Sequence, residues 1–212
     1  MSWSLKTFTG FNEKTAENIQ MDAGAFFINF DVEKDTYASA KADGRCLGAT
    51  QGGGEFTAKP TISQIQVDGV KGRARGLVSI DKWDVSMKAT LLETTVETIK
   101  RGLGFATADT SAKNGYTKIV ANGFISDADY VKNLTWVGCK LGSKEPIIIQ
   151  LFNALNESGL SYKVSDGSQG KVELELYGYN DGSDYLEDVV PPPFAIYLPD
   201  LATDAEEGGG TV

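Results

Sequence analysis

The side chains able to do chemistry in this sequence of 212 residues are few, and histidine is not among them. Its absence takes away the commonest general base, the Ser-His-Asp arrangement and the most frequent transition-metal ligand together. Carboxylates do occur in pairs, at Asp127 and Asp129 and at Glu173 and Glu175, and such pairs can serve glycoside hydrolysis or calcium binding. Alternate acids on a strand, however, point to one solvent face, and Asp127-Ala128-Asp129 lacks the remaining ligands of a calcium loop. Gly102-Leu103-Gly104 lacks the third glycine of a dinucleotide loop and follows a helical pattern where a strand is required. The Gly72 region lacks the Gly-Lys-Ser/Thr ending of a phosphate loop. Cys46 and Cys139 belong to no CxxC pair, which indicates two small buried hydrophobes rather than a disulfide scaffold or a zinc site. The sequence predicts a protein that is not an enzyme and holds no cofactor or metal.

Charge narrows the partners. The net charge is -9, and ten of the 29 acids fall after Lys171, where no lysine or arginine occurs. The first 171 residues, with 20 basic and 19 acidic groups, are nearly neutral. A chain that grips DNA by neutralising phosphates is basic on at least one domain, and this one is the reverse. Four cations gather at Lys59, Lys71, Arg73 and Arg75. They read either as a solvated loop or as an electrostatic contact to an acidic surface of a neighbouring copy. With 41% hydrophobic residues the chain can bury a core as one large domain or two small ones. MSWSLKTFTG lacks the apolar stretch of a signal peptide, and no run approaches the roughly eighteen apolar residues that span a membrane. The expectation is synthesis in the cytosol and no membrane insertion.

The elements that would carry these groups are strands. Trp83, Val85, Met87, Ala89 and Leu91 alternate with Asp84, Ser86, Lys88 and Thr90, giving one dry and one wet face. Residues 55–67 read as the preceding strand, with a slip around Ile62 to Ile65 that a bulge or bend near Pro60 would produce. The tip between them, Asp68 to Gly76, carries Gly69, Gly72 and Gly76, which tolerate backbone angles that other residues resist. A return strand over 77–91 would span roughly 45 to 50 Å. That length suits a sheet continued across subunits, and a bent strand inside one sandwich accommodates it equally.

Leu47-Gly48-Ala49-Thr50-Gln51-Gly52-Gly53-Gly54, Val67-Asp68-Gly69-Val70-Lys71-Gly72 and the strand after them resemble the major tail protein, or tail tube protein, of long-tailed bacteriophages, and Asp22-Ala23-Gly24-Ala25-Phe26 fits the same family. The resemblance covers residues 19–103 best. It implies a β-sandwich with one packed helix, assembled as hexameric rings stacked into a tube that conducts DNA into the host. It further implies a place in the virion tail, of contractile or non-contractile type. The partners it implies are the tape measure protein and the tail terminator and distal tail proteins, with DNA passing unbound. On this reading Asp84, Ser86, Lys88 and Thr90 are the lumen candidates, on a wall of net negative potential that does not hold DNA. Lys71, Arg73 and Arg75 are candidates for subunit contact.

The rest of the chain is consistent with a mainly β fold, a tail-tube-type sandwich or partial barrel with one packed α-helix, a long hairpin and extended terminal arms. Thr94 and Glu97 have capping-box spacing, Val96, Ile99 and Leu103 share a face, and Lys100 and Arg101 sit at the negative end of that helix. Further strands are expected at 25–30, 116–121, 134–141, 146–153, 160–164 and 171–179, with 105–115 a flexible loop. The expected domains are an N-terminal arm (1–22), a sandwich (23–180) and a C-terminal arm with an acidic tail (181–212). In the last, Phe194, Ile196 and Leu198 alternate behind three prolines. They are expected to contact a neighbouring subunit as an arm that adds a strand to its exposed sheet edge, with folding back onto the chain's own sandwich as the alternative. A carbohydrate-binding β-sandwich is the alternative, using Trp136, Tyr177, Tyr179 and Tyr185 as its aromatic surface.

Overall fold

The computed structural model describes residues 10–186 and 190–199. Its elements in order are β1 (Gln20–Ile28), α1 (Tyr37–Ala42), β2 (Thr50–Gln64), β3 (Val78–Leu91), α2 (Val96–Leu103), β4 (Ala106–Lys113), β5 (Tyr116–Ala121), β6 (Val131–Lys140), β7 (Ile147–Asn156), β8 (Ser161–Lys163), β9 (Lys171–Tyr177) and β10 (Phe194–Tyr197). The main sheet runs β1-β6-β7-β9-β3-β2, with β10 on β7 and β8 on β9, and every pairing is antiparallel. β4 and β5 form a separate two-stranded ribbon.

β7 joins two leaves. One edge pairs with β6; the other pairs with β10 at Ile148 to Leu151 and then with β9 at Leu155 and Asn156. Between these stretches Asn153 takes a positive φ of 45°, and its side-chain amide donates to the Tyr179 carbonyl at 3.2 Å. The sheet therefore rolls over one core in which Phe26, Leu134, Trp136 and Leu151 meet Val85, Met87, Leu91, Val172, Leu174 and Leu176. The dry faces of β3 and β9 lie inward as their alternation predicts.

Three glycines, two against Trp136 and one against Phe26, show how tightly the core packs. A Cβ on Gly24 or on Gly138 would run into the indole ring, and one on Gly54 would meet the Phe26 ring and lie 2.5 Å from the Lys88 carbonyl. The indole N–H donates to the Ala23 carbonyl at 2.9 Å. Gly54→Ala is expected to destabilise the chain by about 1–3 kcal/mol, because a backbone carbonyl cannot swing aside. Gly123→Ala, with nothing within 4 Å, should stay within about 0.5 kcal/mol of the parent. Urea denaturation of both variants checks this.

Several expectations are corrected, the burial of the two cysteines among them, since Cys46 is half-buried and Cys139 exposed. There are two helices rather than one: α1, capped by the Thr36 side chain accepting from the Ser39 amide, covers the outer face of β1, where Phe27, Phe30 and Ala40 form a second cluster. The α2 cap is Thr95, not Thr94; its hydroxyl accepts from the Thr98 amide at 3.0 Å. Residues 106–113, expected to be a loop, are strand β4. β1 starts at Gln20 and β2 at Thr50, because each contains a bulge that interrupts the alternation, between Met21 and Ala25 and between Thr50 and Gly54.

α1 is tied down by charge. Arg45 meets Asp35 in a bidentate pair at 2.5 and 2.7 Å, reaches Asp43 at 2.9 Å and donates to the Asn29 carbonyl. The guanidinium holds the Asp35 carboxyl at about 2, below its ordinary value of 3.8. A depressed acid stabilises the fold above its ordinary value and loses that contribution as pH falls through the folded value. Asp35→Asn is expected to lower the melting temperature at neutral pH, and the gap to the parent should close between about pH 4 and pH 2, as followed by circular dichroism.

Candidate assembly surfaces

The β2–β3 hairpin outgrows the body it belongs to. Near the core Phe56 and Ala58 face Met87 and Val85 across the ladder and pack against the central cluster. At Pro60 and Trp83 the layer beneath ends, and the register shifts between Thr61 and Ile62, where Ile62 pairs with Ile80 and skips Asp81. The bulge expected in β2 near Pro60 lies instead on β3, at Asp81, and it keeps Ile62, Ile80 and Val78 on the side that was facing the core. Ile62 is 59% and Ile80 56% exposed. The opposite side is polar: the Ser63 hydroxyl donates to the Asp81 carboxylate at 2.5 Å, beside Ser79. An apolar stripe thus continues past the end of the body with nothing under it.

The tip carries the cations. Lys71, Arg73 and Arg75 are exposed, and none of them takes part in an ion pair among the described residues. Gly69, Gly72 and Gly76 have positive φ of 85°, 91° and 87°, as the turn requires. Lys59 does not join the tip; it sits on β2 opposite Asp84.

The wet face of β3 is a paired surface. Lys82 bonds Asp84 at 2.9 Å, Lys88 bonds Glu175 at 3.1 Å, and Lys163 bonds Glu173 at 2.5 Å. Burial works to raise the Glu175 carboxyl, but hydrogen bonds from Lys88, Tyr177 and Ser158 outweigh it and hold it below the ordinary value. Thr90 is half-buried. Ser86 is buried between Thr57 and Tyr177 in the ladder, a placement that strand alternation alone does not reveal.

The C-terminal arm expected to add a strand to a neighbour instead closes an edge at home: β10 lies on the chain's own sheet, pairing Phe194 with Leu151 and Tyr197 with Ile148. Phe194 crosses to the other leaf, its ring 5.4 Å from Phe56 and 5.8 Å from Trp83 between centroids. Ile196 and Leu198 stay 47% and 66% exposed, so the three alternating residues divide between core and surface. The acidic tail after Pro199 and the first nine residues of the N-terminal arm lie outside the described residues.

The paired acids do not converge with other ligands: no group of three His, Cys, Asp or Glu is placed to hold a metal ion among the described residues. Asp127 and Asp129 flank a single helical turn, where Asp129 accepts from the Ser126 amide at 2.8 Å. Among the described residues, Trp136, Tyr177, Tyr179 and Tyr185, weighed for sugar binding, make no ring contact with one another. Trp136 is 7% exposed with its N–H occupied, and Tyr179 packs edge-on against Tyr130 at 5.3 Å. No protein-family model and no curated protein matches this chain.

Proposed function

We propose that this protein is the structural subunit of a phage tail tube, self-assembling into stacked hexameric rings that conduct DNA into the host. The observation that carries the reading is the hairpin: two long strands project beyond the core with an apolar stripe and a cationic tip. A two-stranded ribbon is marginal in water without a layer to cover it, and exposed contiguous apolar surface is a mark of association. The sequence resemblance over residues 19–103 supplies the kind of assembly. In it the hairpin contacts an adjacent subunit or ring, and the wet face of β3, with Asp84, Lys88 and the half-buried Thr90 but without the buried Ser86, lines the bore. Lys82, Lys88 and Lys163 are each neutralised by a carboxylate there, so DNA phosphates meet few free cations. Six copies at -9 carry -54, an overall charge of the same sign as DNA, while the paired wet face itself is close to neutral. Tape measure, terminator and distal tail proteins are the partners, and the virion tail is the location. Electron microscopy of the purified full chain tests this: rings or tubes are expected, whereas a persistent monomer that retains on a glycan column would replace the reading by the carbohydrate-binding one.

A further inference from the structure

The bulges in β1 and β2 lie side by side. Residues 22–24 and 51–53 drop out of their ladders at the same level, and a Cβ on Gly53 would sit 3.9 Å from that of Ala23. Beside them opens a cleft of about 500 Å³, with Phe26, Phe56, Met87, Trp136 and Ile149 along its walls and Asp22 and Glu55 at its mouth. Its apolar lining and acidic mouth suit an extended segment with alternating large hydrophobes and a cation. The backbone freed by the bulges can pair with such a segment. Residues 1–9 offer such a pair and cation: Trp3 and Leu5 alternate and Lys6 follows them, with Phe8 out of that phase. Within its own subunit the chain runs from Gln20 toward the β6–β7 turn, where Ile19 accepts from the Leu141 amide at 3.0 Å and Glu17 abuts Gly142. That path leads away from the Gly52–Gly54 side of the cleft.

We infer that this cleft receives the N-terminal segment of a neighbouring copy, with Trp3 and Leu5 against Phe56 and Ile149 and Lys6 at Asp22 and Glu55. The inference rests on the assembly reading and gives it a second contact, separate from the hairpin. Nine residues reach about 30 Å when extended, enough to cross to an adjoining subunit.

The test uses full-length chains in which Cys46 and Cys139 are serine. One carries Leu5→Cys, a second of different mass carries Glu55→Cys, and a third carries both. After mixing and mild oxidation with oxidised glutathione, the first two are expected to give a mixed covalent dimer and the third a ladder of multimers. A third chain that closes only on itself would overturn the inference, as would the absence of any cross-link. Microscopy of the same samples separates the two readings. Tubes without cross-links would sink the docking and leave the tube; mixed dimers in samples without tubes would sink the tube and leave the docking.

Discussion

A chain carrying Ile62→Ser and Ile80→Ser is expected to melt at the parental temperature and to lose the ability to form tubes. Both side chains are more than half exposed in the subunit, and exposed substitutions away from the core usually change stability by no more than about 0.5 kcal/mol. Burial in an assembly changes the balance, because each isoleucine then contributes roughly 1.5–3 kcal/mol and the loss recurs in every subunit of the ring. Replacing Lys71, Arg73 and Arg75 by glutamate should likewise spare the fold and impair assembly. Parental tubes should weaken as salt rises, since the contact is screened over about 10 Å at 0.1 M ionic strength. Differential scanning calorimetry and negative-stain microscopy read the two halves of this expectation. A lowered melting temperature for the isoleucine pair would place the stripe in the subunit's own core, and normal tubes from either variant would remove the hairpin from the contact.

How much of this was legible beforehand depended on whether an element buries one face. β3 and β9 alternate because a core lies on one side and water on the other, so their inward residues could be named from the sequence. The slip read at residues 62–65 has a different origin: β2 stays in step through Gln64 and ends there, and the bulge falls on its partner β3 at Asp81. β4 was unreadable for the opposite reason: only Ala106 of its eight residues is buried, so no pattern is imposed on it. α1 is a single capped turn and a half with Ser39 where a capping box usually has an acid or amide, and it buries only Ala40. β1 is covered on both faces, by the core at Phe26 and by α1 at Phe27, which turns alternation into a continuous apolar run. Trp136 could not be assigned at all from composition. Its ring is accommodated by Gly24 and Gly138 and its N–H by the bulge at Ala23, and these become neighbours only through the β1–β6 register.

Truncation after Val190 is expected to lower the melting temperature of the subunit itself, and the reason lies in where the alternating residues of β10 point. Alternation told that one side of Phe194-Ala195-Ile196-Tyr197-Leu198 would dock; it did not tell against which sheet. The strand closes the open edge of β7 over Ile148 to Leu151, and the Pro193 carbonyl accepts from the Phe152 amide at 2.9 Å. Phe194 then bridges the two leaves at Phe56 and Trp83. Removing the segment uncovers both rings and returns the β7 edge to water. Phe194→Ala alone should cost roughly 2 kcal/mol, below the usual range for a fully buried phenylalanine because the ring is half-buried. Ile196→Ser with Leu198→Ser should leave the melting temperature unchanged, since both side chains face solvent, and weaken assembly if they meet a neighbour. Thermal melts of the three variants therefore divide one short strand by function. An unchanged melting temperature after truncation would mean that β10 belongs to the assembly and not to the fold, whereas a drop shared by the truncation and Phe194→Ala makes Phe194 a core residue and leaves only Ile196 and Leu198 for contact between subunits.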